Sequence, residues 1–154
     1  MEDSLWAAYV HQGLFLSEKR YGLLKAYFNG FEAVASASDN QLIESGLKPA
    51  VVHKWNHFKS QKKADTFKNY WQKSFLKALL IDDDSYPFLL SMIHGAPPFL
   101  SFMGDSNILN GTCISVVGSR KASAYGEQVL NWFMPEISKR GLVVVSGLAY
   151  GIDI

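Results

Sequence analysis

Apolar side chains in the first part of the chain recur at helical spacing, broken at short intervals by turn residues. They predict a set of short helices from about Leu5 to Lys59. Leu14 and Leu16 precede a segment in which Tyr21, Leu24, Tyr27 and Phe28 share a face, closed by the Asn-Gly pair at 29–30. Ser38 and Asp39 suit the cap of a helix holding Leu42 and Ile43, which Gly46 stops. After "GLKP", Val51, Val52, Trp55 and Phe58 line one side of a further helix. From Ala64 to Leu80 the positions of Phe67, Tyr70, Trp71, Phe75, Leu79 and Leu80 predict one long amphipathic helix, with Lys68, Lys73 and Lys77 on its polar face.

The pattern then changes. "DDDSYP", Pro87, Pro97 and Pro98 make 82–104 a connector with a short helix at 88–94, and "PPFLSFMGD" reads as an extended segment ending in a turn. "CISVVG" is a continuous, β-branched apolar run, as expected of a strand covered on both faces, with Cys113 as a small buried hydrophobe. Ala124 to Lys139 is helical, with Val129, Leu130, Phe133 and Ile137 on one face; Pro135 is expected to kink or shorten it. Arg140-Gly141 is a stop signal, and "LVVVSGLAYGIDI" is a second buried strand with another glycine-rich turn. Strand, helix, strand is a βαβ unit, hence a parallel pair with a right-handed crossover.

This divides the chain into a helical domain at 1–63, a helix and Pro-rich connector at 64–104, and the start of a sheet domain at 105–154. The class is α/β. The helical part is of the helix-hairpin-helix or sterile-alpha-motif type, which composition does not separate. Two parallel strands need more neighbours and cover on both faces. The sheet is therefore expected to be completed from outside these residues, as in a fragment of a longer protein.

Composition adds bounds. The 154 residues are 48% apolar with a net charge of +1, which argues for a folded chain and by itself points to neither nucleic acid nor membrane. A single cysteine excludes an internal disulfide framework, and neither a signal peptide nor a bilayer-length apolar run is visible, so the expected location is cytoplasmic, with no membrane partner. The flat total hides a distribution. Residues 48–77 hold eight lysines against Asp65 alone, a balance of +7, whereas residues 1–47 carry −3. That lysine face either tracks a phosphate backbone or is plain solvation.

The candidate chemistry lies in the two turns "GSRKAS" and "SGLAYGID". Both follow strands of one parallel sheet and so lie at the same carboxyl edge, where open α/β sheets bind ligands. Gly118, Gly147 and Gly151 allow close backbone approach, Ser119, Ser123 and Ser146 can donate hydroxyl hydrogen bonds, and Arg120, beside Lys121, offers a planar fork suited to phosphate. The spacing is neither G-x-G-x-x-G nor G-x-x-x-x-G-K-[ST], which argues against a dinucleotide and a nucleoside triphosphate. The plainer alternative is that the glycines only turn the chain and Arg120 is solvated. His53 and His57 stand four apart without a third ligand, and read as surface histidines rather than a metal site. Asp82–Asp84 read as a cap or solvated loop, and Asp153 as the cap of a following helix. No G-x-S-x-G motif, Cys/His pair or metal-ligand cysteine cluster occurs, and no cofactor motif is recognisable.

These residues match a specific family. "ISVVGSRKASAYG" followed by "LVVVSGLAYGID" resembles the core signature of the DNA-processing protein A family, also called Smf. In the lead-in "YPFLLSMIHGAPPFLSFMG", Tyr86, Pro87, Leu90, Ile93, Pro97, Leu100 and Gly104 fit the family's pattern, and "LIESGLKPAVVHKW" is similar to the small helical domain that often precedes it. The resemblance implies an extended Rossmann-like domain and a protein of natural transformation. Such a protein binds incoming single-stranded DNA, protects it, loads the RecA recombinase onto it and acts as a homodimer, without being an enzyme. It further implies that Arg120 contacts the DNA backbone in a pocket shaped by Gly118, Ser119, Ser146, Gly147 and Gly151. Tyr150 stands where many members carry a basic residue; a tyrosine there can stack on a base. The alternative is a Rossmann-type nucleotide hydrolase of the lysine-decarboxylase-like phosphoribohydrolase class, whose P-G-G-x-G-T-x-x-E motif does not occur in this sequence.

Overall fold

The computed structural model describes residues 2–154, with the side chain of Glu2 left aside. Two compact units form, one reaching to Asp105 and the other spanning Ser106–Ile154.

The first unit begins with helices α1 (Glu2–Leu14), α2 (Glu18–Tyr27), α3 (Phe31–Ser36), α4 (Asp39–Glu44), α5 (Pro49–Gln61) and α6 (Ala64–Lys73). Their ends follow local chemistry. At α4 the Ser38 hydroxyl accepts from the Gln41 N–H while the Gln41 side chain accepts from the Ser38 N–H, a complete capping box. The same helix stops at Gly46, whose φ of +96° lets Leu47 donate back to the Leu42 carbonyl at 3.2 Å and Gly46 to that of Ile43 at 2.9 Å. Pro49 opens α5, where its missing N–H costs nothing.

The core is aromatic. Trp55 is fully buried and meets Tyr9 edge-on at 5.5 Å and Phe58 in a stack at 5.6 Å; Phe67 approaches Tyr9 at 5.4 Å. The Tyr9 hydroxyl reaches the Lys62 carbonyl at 2.7 Å, which ties α1 to the end of α5.

The long helix expected over 64–80 is corrected. It stops at Lys73, Phe75 turns the chain with a φ of +57°, and Lys77–Leu80 become strand β1. After a short helix α7 (Phe88–Ser91), strand β2 (Phe99–Phe102) pairs antiparallel with β1, Lys77 opposite Phe102 and Leu80 opposite Phe99. Leu79 and Leu80 fit a helical face and a strand equally well by spacing, and pairing with the extended segment "FLSF" decides between them. Phe99 stacks on His11 at 4.5 Å and lies 6.4 Å from Trp71, so the strand pair shares the helical core. Among the aspartates, Asp82 accepts from the Tyr21 hydroxyl at 2.8 Å and pairs with Lys25 at 3.2 Å, and Asp83 accepts from the Leu80 N–H.

His11 carries a testable consequence. Its Nδ1 accepts from the Leu16 N–H at 3.3 Å, and burial pushes the imidazole below its ordinary value of 6.5. The folded state thus binds fewer protons than the unfolded one, so this contribution is present above about pH 6.5 and is lost as pH falls below it. Thermal melting between pH 7.5 and 5 should show a fall that His11→Gln flattens. An equal fall in both proteins would remove His11 as its source.

The second unit starts with a 3₁₀ turn at Ser106–Asn110, followed by strand β3 (Cys113–Ser115), helix α8 (Ala124–Lys139) and strand β4 (Val143–Val145). β3 and β4 pair in parallel, Cys113 opposite Val143 and Ser115 opposite Val145. The fold class is thus α/β, with a helical N-terminal part and a short parallel sheet. Ser123 caps α8 by accepting from the Gly126 N–H, and Gly141 ends it, with Leu142 donating to the Ile137 carbonyl. Pro135 neither ends nor divides α8, which runs on to Lys139; these two caps and the buried Ile137 hold the turns on either side. The strands expected to be covered on both faces are not. Cys113 is exposed, as are Val117, Val144 and Val145, because α8 is the one helix in this unit.

Candidate nucleic-acid interface at the strand ends

Each of the two strands leaves the sheet into a glycine turn, and the turns lock together. Gly151, at a φ of +97°, lies so close to the first turn that an added Cβ would stand 2.2 Å from the Ser119 carbonyl oxygen and 2.7 Å from the Arg120 carbonyl carbon. Only a residue without a side chain permits that backbone approach. The Ile152 N–H then donates to the Ser119 carbonyl at 3.1 Å. The Ile152 side chain fills the space over Gly118 and Gly126, where a Cβ would meet it at 2.5 and 2.9 Å. Ser146 donates to the Asp153 carbonyl at 2.7 Å and accepts from the Leu148 N–H at 3.3 Å. Leu148 holds a φ of +52°, the left-handed region that a leucine adopts only at a cost of about 1–2 kcal/mol.

Of the residues singled out from sequence, Gly118, Ser119, Arg120, Ser146, Gly147 and Gly151 are brought together in this docked pair of turns. Lys121 and Tyr150 stand on it exposed, Tyr150 at 83%. The Asp153 carboxylate accepts from the Gly118 N–H at 3.0 Å, so that amide is already paired. The Lys121 N–H is likewise taken, by the Ser119 hydroxyl at 3.1 Å. A phosphate here therefore gains less from backbone amides than an open glycine loop offers, and it meets a neighbouring carboxylate. The attraction falls on side chains. Among the described residues neither Arg120 nor Lys121 has an ion-pair partner, and both are exposed.

Ile152 and Asp153 are the members that sequence reasoning undervalued. Their signal is their place directly after Gly151, which carries them onto the first turn. A concavity of about 740 Å3 in this unit is a different feature. Val116, Leu130, Met134, Val144, Ile152 and Ile154 line it with Glu127 and Asp153, so it is apolar with two carboxylates and unsuited to an anion.

The lysine face of 59–77 is also redistributed. Lys68 sits 3.4 Å over the Trp6 ring and Lys59 5.3 Å over Trp55, with burial holding the Lys59 ammonium below its ordinary value. Lys77, in β1, donates to the Gly104 carbonyl at 2.9 Å. Lys68, Lys73 and Lys77 do not share one helix face. His53 and His57 are exposed on α5, and among the described residues no group of three potential ligands could hold a metal ion. No helix among the described residues is long and apolar enough to cross a membrane.

A βαβ unit whose two strand-end turns are docked backbone to backbone, with an arginine and a lysine on the edge, defines an α/β protein. The chain belongs to the family described as DNA recombination-mediator protein A, whose model matches residues 77–154. It is 40% identical over 84 residues to the DNA processing protein DprA of Bacillus subtilis, covering 54% of this chain and 28% of that protein. It is 41% identical over 71 residues to the DNA processing protein DprA of Streptococcus pneumoniae, covering 46% of this chain and 25% of the other, and 38% identical over 72 residues to protein Smf of Escherichia coli, covering 47% and 19%. The X-ray structure of DNA processing protein A from Streptococcus pneumoniae superimposes with a TM-score of 0.66 at 28% identity, over 97% of this chain and 50% of that one. The matched stretches thus span 19–28% of these curated relatives' length.

Proposed function

We propose that the docked turns contribute a contact for the backbone of single-stranded DNA, in a protein that protects incoming DNA during natural transformation and passes it to the RecA recombinase. The observation that carries this reading is Arg120. It is an exposed guanidinium with no ion-pair partner among the described residues, held at the strand ends by a turn that Gly151 and Ile152 fix in place. Gly118, Ser119, Ser146, Gly147 and Gly151 shape the edge, Lys121 adds a second cation and Tyr150 an exposed aromatic face for a base. The names of the relatives, DNA processing proteins, support DNA as the ligand class. In this reading the protein works as a homodimer, as a binding protein rather than a catalyst.

The test is fluorescence anisotropy of a labelled oligo-dT with the full-length protein over a salt series. Arg120→Ala should weaken binding roughly tenfold and reduce the slope of log K against log salt by about 0.7, one single-strand phosphate's worth, uniformly across sequences. Binding that responds neither to salt nor to this substitution would end the reading.

A further inference from the structure

We propose that the N-terminal unit carries a second single-stranded nucleic-acid contact, in the groove where α1 and the end of α5 meet the first turns of α6. The inference rests on the reading that the protein binds single-stranded DNA and adds a site that the strand-end turns do not contain. The groove has a volume of about 650 Å3, and its walls include Gln12, Gln61, Lys62, Lys63, Phe67 and Tyr70.

Charge is the first argument. The chain's basic excess is concentrated in residues 48–77, and the fold then sorts those lysines. Lys59 and Lys68 are seated on tryptophan rings and Lys77 on a carbonyl, so they already have partners. Lys62 and Lys63 are consecutive, exposed and on the rim of the groove, and no carboxylate lines it. Lys62 has only a loose approach to Phe58, at 6.0 Å. A concave surface walled by one sign of charge focuses its field on an incoming anion.

Shape and chemistry supply the second argument. Phe67 forms a buried floor, and Tyr70, three residues on, is 67% exposed with its ring available for stacking. An aromatic face beside paired cations is the arrangement that holds single strands without reading sequence, because every base has a π-face and every nucleotide a phosphate. Gln12, Ser60, Gln61 and Thr66 add uncharged donors and acceptors that suit sugar, phosphate or base edge alike. An acidic protein segment would share the charge complementarity but would leave the Tyr70 face without a flat partner.

The experiment uses full-length protein, labelled oligo-dT and an oligonucleotide carrying 5-iododeoxyuridine for photo-crosslinking, with adducts mapped by mass spectrometry. Joint Lys62→Gln and Lys63→Gln should lower the salt slope by about 1.4, two single-strand phosphates' worth. Tyr70→Ala should weaken binding roughly tenfold while Tyr70→Phe preserves it, the melting temperature staying constant in each variant. The adduct should fall on Tyr70 and persist in Arg120→Ala. Groove variants with unchanged affinity and slope, and no adduct within residues 60–70, would overturn the proposal; a continuing effect of Arg120→Ala would then leave the strand-end site standing. Loss of binding in the groove variants with none in Arg120→Ala would do the reverse. Capture of an oligoglutamate peptide at the groove, with no oligonucleotide adduct, would overturn it in favour of an acidic protein partner.

Discussion

Gly151→Ala is expected to separate the two strand-end turns and to abolish whatever ligand contact they share. Two costs combine at this position. The backbone holds φ at +97°, where an L-residue is strained by about 1–3 kcal/mol. The added methyl also stands 2.2 Å from the Ser119 carbonyl oxygen, which is backbone and has no rotamer by which to move away. Relief requires the turns to part, which breaks the Ile152 to Ser119 hydrogen bond, withdraws Ile152 from over Gly118, and frees Asp153 from the Gly118 amide. A local loss of roughly 2–4 kcal/mol follows from the strain and this disruption together. Hydrogen exchange of full-length protein should show it as faster exchange confined to residues 116–123 and 146–154. Gly95→Ala is the control. It too has a positive φ, +71°, but nothing lies within 4 Å of the new methyl, so it should cost only the conformational part. Equal effects at the two glycines would mean that close approach of the turns is not what Gly151 provides.

Trp55→Ala is expected to unfold the first unit at ambient temperature or bring it close to that point, with a loss of about 3–5 kcal/mol against a total stability of about 5–15 kcal/mol. Trp55 is fully buried, and Tyr9, Phe58 and the Lys59 ammonium all rest on its ring. Deleting it leaves a cavity at the centre of an aromatic cluster whose other members are too rigid to collapse into it. Trp55→Phe should cost less, about 1–3 kcal/mol, partly because the buried Trp55 Nε1 has no hydrogen-bond partner and its removal offsets some lost packing. Urea unfolding followed by far-ultraviolet circular dichroism reads both. A Trp55→Ala loss below about 1 kcal/mol would show that the cluster does not organise this core.

Much of the first unit was legible because its signals are local. Ser38 before Asp39, Gly46 and, in the second unit, the Arg140-Gly141 stop are caps and breakers that act within a turn of the residue concerned. They appear in the structure as hydrogen bonds to near neighbours. The stretch 74–80 was misjudged because its apolar spacing fits a helix and a strand equally well. The strand outcome depends on Phe99–Phe102, whose residues pair with partners 19 to 25 positions away in sequence. Pro135 was expected to kink or shorten α8 on propensity, and the helix runs past it to Lys139 between the two caps.

At the candidate site the division is the same. The two glycine motifs, their place after parallel strands and the arginine beside them follow from residue order and turn chemistry, so the chain alone determined which residues border the strand ends. Only the tertiary structure decided that Asp153 turns back onto the Gly118 amide, that Ile152 fills the space over Gly118, and that Lys59 and Lys68 rest on tryptophan rings while Lys62 and Lys63 remain on an open groove. The physical reason is range. Dihedral preference and capping are settled by a few adjacent residues, whereas the partner of a charge is chosen by whichever group the folded chain brings within a few ångströms, and neither periodicity nor spacing encodes that choice.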